Sequence, residues 1–382
     1  MTIQNTYQPL GNFIRKVDNR NRDLKVTKLY GVNLQKEFIP SVANIIGTDL
    51  STYKVIKRGQ FGCKFMSVGR DGILPISLMT EDEPAIISGA YYSFEVNDEN
   101  VLLPEYLMMW LRRPEFDRQL WFYSGGDVRG GVTYDDFCMM PIIIPPIAEQ
   151  RAIVAEYAAV QHRMEVNKRL IAKLEETAQT LYKKMFVDGV DKENLPDGWK
   201  MGTLGEYCKK MTSGGTPNRN HNAYWNKKDF PWLKSGEVHN NVIIDVEEYI
   251  SQEGLICSSA KLIPSGTVVM AMYGATAAQV GYLDCETTTN QACCNMICYN
   301  KQDAAFLFFH LLYCQDDIKR LANGGAQENL SQELIASQQI ILFDDDNKKR
   351  PFVSILDHLI LAYKEIKLCK ELQSLLLARM GR

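Results

Sequence analysis

IVAEYAAVQHRMEVNKRLIAKLEETAQTLYKKM, residues 153–185, is the stretch on which the reading of this 382-residue chain turns. Ile153, Tyr157, Val160, Met164, Asn167, Ile171, Leu174, Ala178, Leu181 and Met185 follow one another at alternating intervals of four and three. That spacing places them on one face of a helix, as a heptad seam with a single polar member, Asn167. Charged residues crowd the other face: Arg163, Glu165, Lys168, Arg169, Lys173, Glu175 and Glu176. Near the C-terminus Phe352, Leu356, Leu359, Tyr363 and Ile366 repeat the spacing, which then slips to Cys369, Leu372 and Leu376. Two such seams predict two long helices packed as an antiparallel, coiled-coil-like pair. The first seam is about 48 Å long at 1.5 Å per residue.

Outward from the helices, the chain repeats itself. YLMMWL (106–111) is answered by FLFFHL (306–311), and Gly125-Gly126 by Gly324-Gly325. Val132-Thr133 and Leu330-Ser331 each precede acidic residues, as helix N-caps do. PIIIPP (141–146) matches QIILF (339–343), Arg58-Gly59 matches Ser265-Gly266, and SGAYYSFEV (88–96) matches NQACCNMICY (290–299). A period of roughly 200 residues is too long for a solenoid and fits a two-domain pseudo-dimer. FVDGVDKENLPDGWK (186–200), with Gly189, Pro196 and Gly198, ends the first helix and opens the second globule.

Composition narrows the function. Net charge is −3, so this is no uniformly basic coat for nucleic acid. No run reaches the roughly 18 apolar residues of a membrane span, and the N-terminus lacks a basic region followed by an apolar one. Ten scattered cysteines are read as reduced thiols. Cys285, Cys293, Cys294 and Cys298 lack a paired C-x-x-C, and QACCNMICY reads as an apolar strand, so no metal is assigned. A phosphate-binding P-loop, G-x-S-x-G and H-E-x-x-H are all missing, as is the Asn/Asp-Pro-Pro-aromatic of amino-methyltransferases. His162, His221, His239, His310 and His358 form no ligand spacing. Asp23-Leu24-Lys25 alone is too short to mark a nuclease. Ser213-Gly214-Gly215 reads as a turn. No catalytic residue is assigned.

The motifs resemble those of a known family. Thr212-Ser213-Gly214-Gly215-Thr216-Pro217, then Tyr224-Trp225, then Phe230-Pro231-Trp232-Leu233-Lys234-Ser235-Gly236-Glu237, resemble the opening of a target-recognition domain in type I restriction–modification specificity subunits. LPDGWK (195–200), AQTLYKKMFVD (178–188) and LQSLLLARM (372–380) resemble conserved segments of the same family. So do GRDG (69–72), PISL (75–78) and Pro145-Pro146 with Glu149-Gln150. DDDNKKRP (344–351) departs from the pattern, lacking Pro-Pro-x-x-Glu-Gln ahead of the second helix. The resemblance implies an α+β fold: a recognition domain over 1–147, a central helix over 148–188, a second recognition domain over 189–348, and a C-terminal helix over 349–382. It implies a non-catalytic subunit in the cytoplasm of a prokaryotic cell, reading both halves of a gapped site on double-stranded DNA. Its partners would be two DNA-adenine methyltransferase subunits holding S-adenosylmethionine, and motor-nuclease subunits holding ATP and Mg. The chain itself would hold no cofactor and meet no membrane. The alternatives are a specificity subunit of a type IIB-like system, a fused methyltransferase or nuclease, and a coiled-coil scaffold.

Local charge supports contact with DNA. Residues 1–80 hold 12 Lys/Arg against 5 Asp/Glu, and residues 200–240 hold 7 against 3, whereas 241–300 hold 1 against 6. Arg and Lys suit phosphate and guanine, and Asn and Gln suit adenine. The expected contacts are Lys57, Arg58, Lys64, Arg70 and Arg129 in the first half. In the second they are Arg219, Asn220, Tyr224, Lys227, Lys228, Lys234, Tyr273, Thr276 and Gln279. Trp225 and Trp232 are equally at home in a core.

Overall fold

The computed structural model describes residues 7–41, 47–123, 131–322 and 329–381. Gly125, Gly126, Arg129, Gly324 and Gly325 lie outside the described residues. The chain forms two compact units, residues 1–163 with 369–382, and residues 164–368.

The first unit carries strands β1 (Gln8–Pro9), β2 (Ile14–Val17), β3 (Leu29–Val32), β4 (Phe38–Pro40), β5 (Lys54–Ile56), β6 (Gln60–Cys63), β7 (Ile76–Leu78), β8 (Ala85–Ile87), β9 (Tyr92–Val96) and β10 (Pro141–Ile142). One sheet has the order β2-β9-β6-β7, all antiparallel. A second has the order β4-β3-β8-β5, in which β3 and β8 are parallel, and β1 pairs with β10. Helices α1 (Val68–Asp71), α2 (Pro104–Leu111), α3 (Pro114–Tyr123) and α4 (Tyr134–Met139) complete the unit. Tyr106–Leu111, the YLMMWL run, is buried along its whole length, and Tyr106 donates its hydroxyl proton to Ile143 O at 3.1 Å. α4 starts where the sequence places a cap: Thr133 accepts from Asp136 N–H, and the Asp136 carboxylate accepts from Thr133 N–H.

The second unit carries β11 (Lys200–Thr203), β12 (Lys210–Ser213), β13 (Phe230–Leu233), β14 (Asn241–Ile243), β15 (Glu248–Ile250), β16 (Leu262–Ile263), β17 (Val268–Ala271), β18 (Val280–Leu283), β19 (Thr287–Thr289), β20 (Cys293–Ile297) and β21 (Gln339–Leu342). Its first sheet runs β12-β20-β17-β18-β14 and its second β15-β13-β19-β16, with β13 and β19 parallel, while β11 pairs with β21. The strand order is that of the first unit, with β14 added beside β18. The turns before β6 and β17 both need a left-handed residue, Gly59 at φ 82° and Gly266 at φ 84°. Their N–H groups bond Met79 O and Leu283 O. Cys293 and Cys294, adjacent on β20, point to opposite faces and into different apolar cores, as successive strand residues must.

Two long helices join these layers. The fifth helix, α5 (Ile147–Phe186), carries a wholly buried Gln150 in its first turn. Its side chain accepts from Leu103 N–H and donates to Val101 O and Pro145 O, at 2.8–2.9 Å. After α6 (Leu204–Tyr207), α7 (Gln252–Ile256), α8 (Lys301–Ala322) and α9 (Gln332–Ala336) comes α10 (Asp346–Arg379). Ser331 caps α9 by accepting from Leu334 N–H. In the second unit Lys349 near the start of α10 reaches the buried Asp303 of α8 at 2.6 Å.

Every member of the 153–185 seam is buried or half-buried. In the second unit Asn167 donates to Glu365 at 2.9 Å and Tyr182 packs edge-on against Phe352, so the two helices there run in opposite directions. Ile171, Ala178 and Tyr182 share one core with Phe352, Leu356, Leu359 and the sheet residues Val268 and Met270, and Leu174, Leu181, Tyr363 and Ile366 pack at its edge. In the first unit Ile153 and Tyr157 share a core with Met380, and Leu376 and Leu377 pack against it. The seam of α10 differs from expectation at one place. Leu372 is 45% exposed and lies with Leu368 and Leu375 on the outer face, while Gln373 turns inward, because each residue advances a helix by about 100°. Among the described residues no helix is long and apolar enough to cross a membrane.

One buried group makes the second unit sensitive to acid. His310 of α8 shares a 2.6 Å hydrogen bond with the Tyr182 hydroxyl, and burial pushes its pKa down to about 4 from 6.5. Protonation therefore favours the unfolded chain. The contribution is whole above pH 6.5 and is lost as pH falls toward 4, about 3 kcal/mol in all. His310→Gln, which keeps an acceptor but does not titrate, is expected to flatten the fall in urea midpoint between pH 6.5 and 4.

Candidate nucleic-acid interface

The basic segment 216–234 of the second unit is held down from both ends. Gly215 N–H donates to Thr289 O at 2.8 Å, and the buried Trp232 donates its indole N–H to Gly215 O at 3.0 Å. At the far side Ser251, the N-cap of α7, donates its hydroxyl to Ala223 O at 2.7 Å. Between these ties lies Arg219. Its guanidinium carbon sits 3.8 Å from the Trp225 ring centre and 4.4 Å from that of Trp232, and the two indoles meet edge to face. Glu248 of β15 pairs with the same guanidinium. Arg219 and Lys234 hold the Glu248 carboxyl below its usual range, against a smaller opposing effect of burial.

The acid-rich stretch 241–300 thus folds back onto the basic one, because β13 and β15 are antiparallel neighbours and Trp232 lies opposite Glu248. Lys234 is engaged by Glu247 at 2.7 Å and Glu248 at 3.1 Å. Lys228 sits 5.2 Å above the Tyr249 ring. What remains outward is Asn220 and Lys227, both exposed, and Tyr224, half-buried and stacked on His221 at 4.2 Å. Among the described residues Lys227 forms no ion pair. Sequence reading missed Glu247 and Glu248 as partners of this segment; the signal was the acid excess that follows it.

The remaining second-unit residues lie elsewhere. Tyr273, 42% exposed, and the partly exposed Thr276 and Gln279 form the β17–β18 connection, which belongs to the other sheet. In the first unit the β6–β7 connection holds the corresponding place and carries Lys64 and Arg70. Arg70 is exposed, but Asp71 takes its Nε and Nη2 at 2.8 Å each. Lys57 and Arg58 stand at the opposite end of β6, and Arg58 pairs with Asp82 at 2.6 Å. The expected residues therefore form separate groups. Arg129 lies outside the described residues. No group of three or more metal-ligating side chains gathers among the described residues. Such surfaces offer hydrogen-bond donors, cations and aromatic faces, the means by which phosphates and base edges are recognised.

Comparison with known proteins points the same way. Residues 196–374 match the family described as the type I restriction modification DNA specificity domain. The chain is similar to the specificity subunit of the type I restriction enzyme EcoR124I/EcoR124II of Escherichia coli, 26% identical over 42% of this chain and 40% of that subunit. It is also similar to the HindI specificity subunit of Haemophilus influenzae, 23% identical over 77% of this chain and 80% of that one. In fold it matches the S subunit of a type I restriction–modification system from M. genitalium, with a TM-score of 0.59 at 15% identity over 100% and 98% of the two chains.

Arg219 in this geometry braces the segment, and that role can be separated from charge. Arg219→Lys keeps the cation but loses the planar stack, and is expected to cost about 1 kcal/mol in urea unfolding. Lys227→Ala should stay within about 0.5 kcal/mol of the parent. A neutral Arg219→Lys would show that the stack does not brace the segment.

Proposed function

We propose, for a chain whose family is that of the type I restriction–modification specificity subunits, that it reads a bipartite, gapped site on double-stranded DNA, one half-site to each unit. The observation that carries this reading is the repeated strand order, down to the single parallel pair in each second sheet. Two readers of one design in one chain suit two half-sites. In this reading the repeat is an internal duplication, and α5 and α10 form the coiled-coil-like pair that sets the distance between half-sites. The first seam, at about 48 Å, exceeds the roughly 34 Å of one turn of DNA.

The chain does no chemistry in this reading. Two adenine methyltransferase subunits bring S-adenosylmethionine, motor-nuclease subunits bring ATP and Mg, and this subunit places them on the site. Contacts to the backbone position the protein, and the exposed amides and arginines at the loop ends select bases.

The deciding experiment exchanges residues 189–348 for the matching segment of a related subunit and maps methylated adenines. One half-site should change while the other and the gap stay. A change in both half-sites would refute the assignment of one half-site to each unit. A finer expectation concerns Lys227. As a phosphate contact, Lys227→Ala should weaken binding on every sequence and lower the slope of log K against log salt by about 1. An unaltered slope would place Lys227 off the DNA.

A further inference from the structure

The two units differ at one sheet edge. In the second, β14 runs parallel to β18 and pairs Asn241, Val242 and Ile243 with Gly281, Tyr282 and Leu283. The outward N–H groups there find acceptors: Val280 N–H donates to Asn240 Oδ1 and Asp284 N–H to Ile243 O, both at 2.9 Å. The fit is close, since a Cβ on Gly281 would come within 2.6 Å of Ile243. In the first unit no strand occupies this place among the described residues, and β7 ends the sheet. Met79 N–H donates to Gln60 O on β6, and Ser77 lies opposite Gly62. Because hydrogen-bonding direction alternates along a strand, Ile76, Leu78 and Thr80 turn their N–H groups away from β6. None of the three has a backbone acceptor there among the described residues; Ile76 is wholly buried, and Leu78 and Thr80 line a cavity beside the strand.

A cavity of about 310 Å³ adjoins this edge, lined by Leu78, Met79 and Thr80, by Met108 of α2 and Arg112 just beyond its end, and by Tyr157 of α5. Arg112 donates from Nη1 to the Tyr157 hydroxyl at 3.3 Å, while its buried Nε–H has no acceptor. Glu37 and Glu105 also line the cavity, and neither forms an ion pair among the described residues. The site thus offers two backbone donors at strand spacing, Leu78 and Thr80, with an unsatisfied guanidinium N–H, apolar walls and a negative rim.

We propose that β7 is the acceptor edge for a β-strand supplied by a partner protein. The incoming segment lies parallel to β7, as β14 does to β18, with aliphatic side chains over the cavity and a basic residue facing Glu37 and Glu105. Its carbonyls accept from Leu78 and Thr80 N–H, and one from Arg112 Nε–H. Unpaired donors at a sheet edge are a template for strand addition, and a buried N–H without a partner is costly until such a strand arrives.

The probe is a fluorescein-labelled peptide of residues 238–246 carrying Val238→Lys and Asp245→Lys, titrated into the full chain and followed by anisotropy. Saturable binding in the micromolar range is expected, with slower amide exchange across residues 76–80. Thr80→Pro removes one donor from an exposed position and should weaken binding about fivefold or more. Glu105→Gln, which leaves the backbone alone, should also weaken it and lessen its salt dependence. No saturation by roughly 1 mM, or binding indifferent to both substitutions, would overturn the proposal. So would sedimentation of the chain as a dimer that excludes the peptide, since a second copy would then close the edge. DNA binding by the same preparations reports separately on the reading above.

Discussion

Burial of the apolar seam along α5 and α10 is the contact on which each unit depends. In the second unit the seam is not a separate zipper: Ile171, Ala178 and Tyr182 lie in the same core as Phe306, Phe352 and the sheet residues Val268 and Met270. Each fully buried large side chain contributes about 1.5–3 kcal/mol, so the helices and the sheet stand or fall together. Three polar side chains along the two helices are matched. Gln150 satisfies three backbone groups where α5 begins, Lys349 meets Asp303 near the start of α10, and Asn167 meets Glu365 within the seam. Any of these polar groups left alone would cost more than its pairing contributes, which fixes the register of the helices against the globules they serve.

The distribution of charge follows from strand pairing rather than from composition. A basic segment and an acidic one, far from neutral when counted separately, become neighbours when β13 pairs with β15. Arg219 and Lys234 are consumed in holding the segment, and Lys227 and Asn220 are what it presents. For a reader of DNA this division has a use. A loop braced by stacked indoles and ion pairs keeps its outward groups in place, so that recognition does not have to order the loop first.

The same strand order serves two units that are not alike in detail. β14 closes one sheet edge in the second unit, and among the described residues no strand lies beside β7 in the first. The β6–β7 connection carries Lys64 and Arg70 where the β17–β18 connection carries Tyr273, Thr276 and Gln279. A shared scaffold with different loop chemistry is what the proposed reading of two half-sites calls for, because strands set position and loops set specificity.

The sequence by itself determined the two long helices, their inward faces, the caps at Thr133 and Ser331, the order of elements in both halves, and the resemblance to a family. All of these rest on local periodicity or on residues close in the chain, where the geometry of helix and strand leaves one answer. The end of the α10 seam was misread at Leu372, because several leucines there allow more than one apolar face and only packing chooses between them. Which basic residues are free, and which are spent on Glu247, Glu248 or Asp71, was decided by the tertiary structure. So was the edge of β7, which has no strand neighbour among the described residues, since a missing strand has no signature in the residues that would have paired with it. Pairing partners come from distant parts of the chain, and no local pattern encodes who will lie beside whom.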